Sequence, residues 1–266
     1  MKKIKNKNLK TIQTLSNQIN GIDLKNGGII ECIKFENKKL LSKISLKNKD
    51  VIEFGCGVYP ASLGLKDSNM PNKYIATDAS KNLIFLAKKI DVRPTYKVLD
   101  LEKIKFYNNQ KKFDVIILKG VLHHVEFPEK VLIKISKFLK ENGCIIVSEP
   151  NLSSLIGNFL KWFLSFFFNT SMEDSPYGQL EQKKIRKAFS KANLFIVKEW
   201  YSSLIAFTLS GDFGRKKILP DNKILFKLII FLEQIISNTF HLFVYLARIL
   251  FFKVNFMVKK KTPKRT

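Results

Sequence analysis

Cysteine and histidine are scarce in this chain of 266 residues. The three cysteines (Cys32, Cys56 and Cys144) follow no metal-ligand or disulfide spacing, which favours a reducing, cytosolic compartment. Of the three histidines, His123 and His124 are adjacent and have no cluster of cysteine or aspartate nearby. The sequence therefore predicts no metal site.

Acidic residues are also few, with 22 Asp and Glu against 47 Lys and Arg, which gives a net charge of +25. A field of this sign favours anionic partners such as nucleic acid or acidic lipid. Lys, Asn, Ile and Phe are all abundant, however, and an A/T-rich coding sequence produces the same composition. The charge alone therefore identifies no ligand.

Long uninterrupted apolar runs are missing. The first ten residues are basic and are followed by no apolar segment, so they do not resemble a signal peptide. The longest apolar stretch, 224–252, is interrupted by Lys227, Glu233, His241 and Arg248. No run reaches the roughly 18–20 apolar residues of a spanning helix, and we expect no transmembrane segment.

Strand and helix patterns alternate through the middle of the chain. The pattern predicts strands at 51–54, 73–77, 96–99, 113–118, 144–148, 194–200 and 254–258, and helices from about Pro60 and over 80–90, 128–139 and 181–192. This alternation is typical of an α/β fold with a parallel sheet and helices on both faces. Ligands of such sheets bind beyond the carboxyl ends of the strands.

Acidic residues and glycines stand at those strand ends. The segment Glu53–Gly57 reads EFGCG, and its two glycines, Gly55 and Gly57, allow a sharp turn on which a ligand can lie. Asp78 ends the second apolar run and Asp100 the third. Three carboxylates at successive strand ends indicate a pocket for a nucleoside that carries positive charge.

Two other nucleotide-binding motifs fit poorly. A dinucleotide fingerprint requires a third glycine, and Pro60 stands at that position. No Gly-Lys-Ser/Thr follows a glycine loop, so a phosphate-binding loop is absent from the sequence as well.

The segments VIEFGCG, YIATDAS, LDLEKI and FDVIILKGVLHHVEFPEKVLIKISKFLKENGCIIVSEPN resemble, in order and spacing, the motifs of class I S-adenosylmethionine-dependent methyltransferases of the type 11 group. The resemblance covers roughly residues 45–200. It implies a Rossmann-like, mostly parallel seven-stranded sheet with helices on both faces and a C-terminal helical insertion. It also implies S-adenosylmethionine as the cofactor.

The resemblance carries cofactor contacts onto this chain. Glu53 would lie near the methionine amino group, Asp78 would accept hydrogen bonds from the ribose, and Asp100 would meet the adenine amino group. The full set of implied contacts is Glu53, Gly55, Cys56, Gly57, Asp78, Ala79, Asp100, Leu101, Lys119 and Gly120. One departure is that Val58-Tyr59-Pro60 follows the turn without a further glycine.

His123 and His124 are the candidate catalytic bases, because they follow the fourth strand at the active edge of the sheet. The alternative interpretation is that they pack or cap, since the same Leu-His-His sequence recurs in the family as a structural feature.

The chain divides into four predicted parts. These are a basic N-terminal extension (1–45), a cofactor-binding core (46–200), an apolar helical insertion (201–252), and a last strand with a basic tail (253–266). The aromatic and basic segments 155–168 and 224–252 are typical of interfacial helices that bind an anionic membrane, and equally of a lid or a dimer contact.

Three functional hypotheses follow. The first is methyl transfer to a small, lipid-linked or glycan-linked acceptor; the second is a non-catalytic cofactor-binding or membrane-scaffold protein of the same fold. The third is a nucleic-acid methyltransferase, but Lys119-Gly120-Val121-Leu122 stands where an Asn-Pro-Pro-Tyr/Phe motif for a flipped base is expected.

Overall fold

The computed structural model describes residues 27–104, 112–159, 162, 180–204, 206–209, 219–240 and 244–261. Its strands are β1 (Asp50–Phe54), β2 (Lys73–Asp78), β3 (Thr95–Val98), β4 (Phe113–Lys119), β5 (Leu139–Pro150), β6 (Leu194–Ser202) and β7 (Lys253–Lys260). Its helices are α1 (Gly28–Leu41), α2 (Lys81–Ile90), α3 (Pro128–Ser136), α4 (Gln182–Lys191), α5 (Ala206–Leu209), α6 (Lys223–Phe240) and α7 (Val244–Leu250).

The seven strands form one sheet in the order β3-β2-β1-β4-β5-β7-β6. β1 pairs in parallel with both β2 and β4, and β4 pairs in parallel with β5. β7 runs antiparallel between β5 and β6. The predicted α/β, Rossmann-like and mostly parallel seven-stranded fold is confirmed.

Apolar side chains that occupy both faces of the central strands make the core. In β4 the four consecutive residues Val115 to Leu118 are fully buried, which is typical of a parallel strand covered by helices on both sides. The covering helices begin at recognisable caps. The Ser80 hydroxyl accepts a hydrogen bond from the Leu83 amide at 3.3 Å to start α2, and Pro128 occupies the first turn of α3.

The helix predicted from about Pro60 is wrong. The chain there forms a 3-10 turn at Ala61–Gly64, followed by a second one at Asp67–Asn69. The Leu65 amide donates to the Ser62 carbonyl at 2.9 Å, an i→i+3 hydrogen bond that makes the turn 3-10. The Arg93 guanidinium holds the end of this turn, because it also donates to the carbonyls of Ser62 (2.9 Å) and Leu65 (2.9 Å).

Helices α5, α6 and α7 lie between β6 and β7 in the chain, where the C-terminal helical insertion is expected. α6 packs against α1, and Phe226 of α6 joins Ile29, Ile33 and Leu63 in a buried cluster. Asp221, before α6, accepts a hydrogen bond from the Ile29 amide at 2.9 Å and so caps α1. Among the described residues, no helix combines the length and the hydrophobicity needed to cross a bilayer.

Parts of the predicted organisation lie outside the described residues. They include 1–26 of the basic extension, most of the aromatic segment 155–168, and the end of the basic tail (262–266). The division of the chain into four parts stays a prediction.

Candidate functional site

The candidate site lies at the edge of the sheet where β1, β2, β4 and β5 end. Phe54 is paired with Thr77 of β2 and with Leu118 of β4, and Leu118 is paired with Val147 of β5. The residues that follow these pairs therefore meet at one edge. This is the edge at which open parallel sheets bind their ligands.

The glycine turn after β1 adopts a left-handed conformation, with φ of +66° at Gly55 and +59° at Gly57. The two positions differ in their surroundings. A Cβ atom at Gly55 would lie 2.7 Å from Cγ2 of Val121, whereas a Cβ atom at Gly57 would meet nothing within 4 Å. Gly57 therefore presents bare backbone to open space, which is the cradle that a flat ligand requires.

Cys56 lies between these glycines, and its side chain is buried. Burial raises the pKa of its thiol far above the ordinary range, with Glu53 and Asp78 acting in the same direction. The thiol therefore stays protonated and is unsuited to act as a nucleophile. The Cys56 amide donates to the Thr77 carbonyl at 2.9 Å, which ties the turn to β2.

Asp78 stands beside the open face of the turn. Its carboxylate accepts hydrogen bonds from the amides of Gly57 (3.0 Å) and Ser80 (2.9 Å). Burial raises its pKa, against the opposing effect of these amides. A carboxylate has about four acceptor positions, so Asp78 keeps capacity for further donors such as two hydroxyls. The neighbouring Ala79 is exposed on the same loop.

Asp100 follows β3 and lies next to this loop, because the Leu99 amide donates to the Asp78 carbonyl at 2.8 Å. Its carboxylate accepts from the Glu102 amide at 3.0 Å and pairs with the Lys103 ammonium at 2.8 Å. Partial burial raises its pKa, but these hydrogen bonds outweigh burial and hold the pKa below its usual value. Leu101 is buried in the main core cluster.

Glu53 is fully buried, and protein groups bind its carboxylate. The Tyr74 hydroxyl donates to it at 2.7 Å, and the Ala61 amide donates at 3.0 Å. Burial raises the pKa of Glu53, and the nearby Lys119 ammonium opposes that shift. The side chain thus anchors the 3-10 turn after the glycines.

Lys119 ends β4 and points towards α1. Its ammonium donates to Asn37 Oδ1 at 3.1 Å and to the Tyr59 carbonyl, while Asn37 Nδ2 donates to the Pro60 carbonyl at 3.0 Å. α1 is thereby fixed to the glycine turn. Asn37 was missed by reasoning from sequence, because nothing near it in the chain marks it as part of the site. Gly120, next to Lys119, has φ of +66° and donates its amide to the Ser148 carbonyl at 2.8 Å.

His123 forms a pair with Glu149, whose side chain is fully buried. The distance from His123 Nδ1 to Glu149 Oε2 is 2.5 Å, and the histidine side chain is 13% exposed. The other carboxylate oxygen, Glu149 Oε1, accepts from the amides of Val121 (3.1 Å) and Leu122 (2.8 Å). The carboxylate thus orients both the imidazole and the backbone that carries it.

Sequence reasoning missed Glu149, although a signal was present. It is a fourth acid near a strand end, since it lies two residues after Val147, the last residue of the apolar run in β5, and one residue before β5 ends at Pro150.

His124 has a different environment. Its ring centroid lies 4.0 Å from that of His123, and the residue is exposed. The surrounding protein and then His123 lower the pKa of His124, an effect that contact with water weakens. The structure therefore separates the two predicted bases into one that a buried carboxylate orients and one that faces solvent.

Within the described ranges, no group of three or more His, Cys, Asp or Glu side chains is placed to hold a metal ion. The carboxylates of Asp78 and Asp100 at this edge are instead separate, and each is held by backbone amides or by a lysine.

The chain matches the family described as "Methyltransferase domain" over residues 30–199. It is 33% identical over 110 residues to a ubiquinone biosynthesis O-methyltransferase of Pelagibacter ubique, covering 40% of this chain and 44% of that protein. It is 30% identical over 142 residues to the mitochondrial enzyme of the same name from Dictyostelium discoideum, covering 48% of this chain and 44% of that protein. The match thus spans less than half the length of these curated relatives.

Among solved structures, the fold is similar to that of magnesium protoporphyrin IX methyltransferase from Synechocystis with bound S-adenosylhomocysteine. The TM-score is 0.52 at 16% identity, and the alignment covers 88% of this chain and 84% of the other. At this level of identity the likeness establishes the fold.

Proposed function

The chain belongs to the family of class I S-adenosylmethionine-dependent methyltransferases, and we propose that it transfers a methyl group to a small or lipid-linked acceptor. When bound, the family's cofactor S-adenosylmethionine supplies an electrophilic methyl group on a sulfonium. The observation that carries the proposal is the open backbone of Gly57 beside the Asp78 carboxylate.

The residues present fit such a cofactor. Asp78 would hold the ribose hydroxyls with its remaining acceptor positions, and Gly57 would lie under the nucleoside. Ala79, Asp100 and Leu101 would border the adenine. Carboxylates at this edge also favour a ligand that carries positive charge.

The other residues predicted to contact the cofactor would each contribute in a different way. Glu53 would act near the methionine amino group through its charge, since its carboxylate is bound by Tyr74 and Ala61. Gly55 and Cys56 would contribute backbone alone. Lys119 and Gly120 would form the floor of the site.

We assign His123 as the base and Glu149 as its positioning residue. A hydrogen bond from Nδ1 to the buried Glu149 carboxylate selects the tautomer in which Nε2 is the basic nitrogen. Nε2 would then take the proton of an acceptor hydroxyl as that oxygen becomes a nucleophile. His124, which is exposed to solvent, is the weaker candidate.

The proposed class of acceptor is inferred from the names of the relatives, and the proposed location from the charge and the cysteines of the chain. The two curated relatives carry the name ubiquinone biosynthesis O-methyltransferase, which favours a small acceptor methylated on oxygen. The predicted location is the cytoplasm, where the surplus of basic residues fits a peripheral position at an anionic membrane surface without requiring one. Cys32, Cys56 and Cys144 are buried, and their scattered spacing favours a reducing compartment.

The cofactor assignment is tested by calorimetric titration of S-adenosylhomocysteine into the wild type, Asp78→Ala and a matched control, Glu141→Ala. Glu141 is an exposed acid near the start of β5, at the opposite edge of the sheet. Loss of charge-assisted hydrogen bonds in Asp78→Ala should weaken binding by about 1.5–3 kcal/mol, or roughly 10–150-fold. The control should bind as the wild type does.

Absence of binding in the wild type would refute the assignment of the pocket. Binding without methyl transfer to any fraction of a cell extract would favour the non-catalytic alternative. Where transfer is found, His123→Asn should lower kcat by roughly 10²–10⁴-fold and leave the affinity for S-adenosylhomocysteine unchanged.

A further inference from the structure

The exposed face of α6 is apolar. Its members are Ile224, Leu228, Phe231, Leu232 and Ile235, which are 80%, 56%, 56%, 50% and 51% exposed. Their spacing of four, seven, eight and eleven residues from Ile224 places them on one side of the helix, and we call this side the α6 stripe. The opposite side carries the buried Phe226, Glu233 and Ser237.

The α6 stripe faces solvent because the other side of the helix is already anchored. Phe226 packs in the cluster with α1, and Glu233 accepts hydrogen bonds from the amides of Leu204 (3.0 Å) and Ala206 (2.7 Å). The helix therefore cannot rotate to bury the stripe without breaking these contacts. A contiguous apolar patch of this kind marks an interaction surface.

A basic cleft of about 880 Å³ lies beside the α6 stripe, between α1, α6 and the end of α2. Its cations are Lys34, Lys38, Lys66, Lys89, Arg93 and Lys227. Lys227 belongs to α6 itself and lies four residues before Phe231 and three after Ile224, so it is a surface neighbour of both and the cleft and the stripe share an edge.

The acids in this cleft are already paired. Arg93 binds Asp91 at 2.7 Å and Asp67 at 2.9 Å, and Lys34 binds Glu31 at 3.4 Å. Across the part of the chain that the structure describes, Lys38, Lys66 and Lys227 form no ion pair. The cleft therefore presents a net positive charge next to an apolar ridge.

We propose that the α6 stripe and the basic cleft form one docking surface for an anionic phospholipid bilayer. The stripe enters the boundary of the acyl chains while Lys38, Lys66 and Lys227 contact acidic headgroups. An apolar face bordered by lysines is the pattern of a helix that lies in a membrane interface. Electrostatic attraction adds about a fivefold gain in binding per lysine near the surface.

Charge favours a bilayer over a second copy of the chain as the occupant. In a symmetric dimer the same surface of each copy would face the other, and lysines would meet lysines. The net charge of +25 repels a second copy and attracts acidic lipid.

The surface also lies close to the candidate site. α1 contacts α6 through Ile29 and Ile33 and contacts the site through Asn37, which binds Lys119. One helix therefore separates the docking surface from the sheet edge, and an enzyme bound in this way would hold its site near the membrane.

The test is co-sedimentation of the full chain, without cofactor, with vesicles of phosphatidylcholine alone or of phosphatidylcholine mixed with phosphatidylglycerol. Two variants probe the surface: Leu228→Ser/Phe231→Ser for the stripe and Lys38→Gln/Lys66→Gln/Lys227→Gln for the cleft. Matched controls elsewhere are Phe195→Ser, an exposed residue at the start of β6, and Lys183→Gln/Lys184→Gln/Lys187→Gln on α4.

We expect the wild type to bind the vesicles that contain phosphatidylglycerol and not those of phosphatidylcholine alone. The affinity for the anionic vesicles should fall tenfold or more in each surface variant and change less than twofold in the controls. All substituted side chains are exposed or at a helix surface, and circular dichroism checks that each variant folds. No binding by the wild type, or equal losses in the controls, would overturn the proposal. The proposal would also be overturned if light scattering showed that the wild type is a dimer, and if Leu228→Ser/Phe231→Ser abolished that dimer but left vesicle binding unchanged.

The outcome is independent of methyl transfer, since neither cofactor nor acceptor is present. A protein that binds S-adenosylhomocysteine but no vesicle would retain the proposed function and lose the docking surface.

Discussion

Gly55 and Gly57 share a left-handed backbone but should respond differently to the same substitution, Gly→Ala. At both positions a Cβ atom costs about 1–2 kcal/mol because of the positive φ. At Gly55 the Cβ atom also lies 2.7 Å from Val121 Cγ2, and overpacking of this kind adds roughly 1–3 kcal/mol. At Gly57 no protein atom lies within 4 Å of the new group.

Gly55→Ala should therefore lower the free energy of unfolding by about 2–5 kcal/mol, and Gly57→Ala by about 1–2 kcal/mol. The order reverses for cofactor binding. The methyl group of Gly57→Ala points into the space assigned to the nucleoside, so affinity for S-adenosylhomocysteine should fall by an order of magnitude or more. Gly55→Ala should bind with nearly wild-type affinity once folded.

Urea denaturation measures the free energy of unfolding of each variant. Calorimetric titration measures the affinity for S-adenosylhomocysteine, at a temperature below the unfolding midpoint of the less stable variant. Wild-type affinity in Gly57→Ala would refute the placement of the nucleoside over this turn. Equal loss of stability in the two variants would contradict the contact between Gly55 and Val121.

Further predictions concern single side chains. Burial raises the pKa of Glu36 from 4.5 to about 7. Between these two pH values the folded state holds a proton that the unfolded state has lost. The free energy of unfolding should therefore fall, by at most about 3 kcal/mol, as pH rises from about 4.5 through 7. Glu36→Gln should flatten that part of the profile of unfolding free energy against pH, and an unchanged profile would disprove the assignment. Glu149→Gln should mix the two neutral tautomers of His123, seen as averaged ¹⁵N shifts of its ring; a single tautomer would show that Glu149 does not select it. Ser80→Ala removes the cap of α2 and should cost about 1 kcal/mol in urea denaturation, whereas no change would mean that the cap is replaced by water.

The alternation of strands and helices could be predicted from sequence because its signals are local. The period of the apolar residues and the turn residues between them act within a few positions, as in 113–118, which forms the buried strand β4. Element ends were less accurate. The helix expected from about Pro60 is instead a 3-10 turn, whose Ser62 and Leu65 carbonyls are bound by Arg93 some thirty residues later.

The predicted acids reach one edge for the same local reason, since each lies within two residues of the carboxyl end of its strand. Their partners do not follow from sequence. Glu149 binds His123 across 26 positions and Lys119 binds Asn37 across 82. Such pairs depend on which strands become neighbours and on where α1 docks.

α6 shows most clearly the difference between what the sequence determines and what only the tertiary structure determines. By itself the sequence determined that this segment is apolar and helical, but it is apolar on nearly all sides, so periodicity selects no buried face. Only the tertiary structure decided that Phe226 is fully buried and that Leu228 is 56% exposed. The physical reason is that α1 and the Glu233 hydrogen bonds fix the rotation of the helix, and rotation alone determines which apolar residues meet solvent.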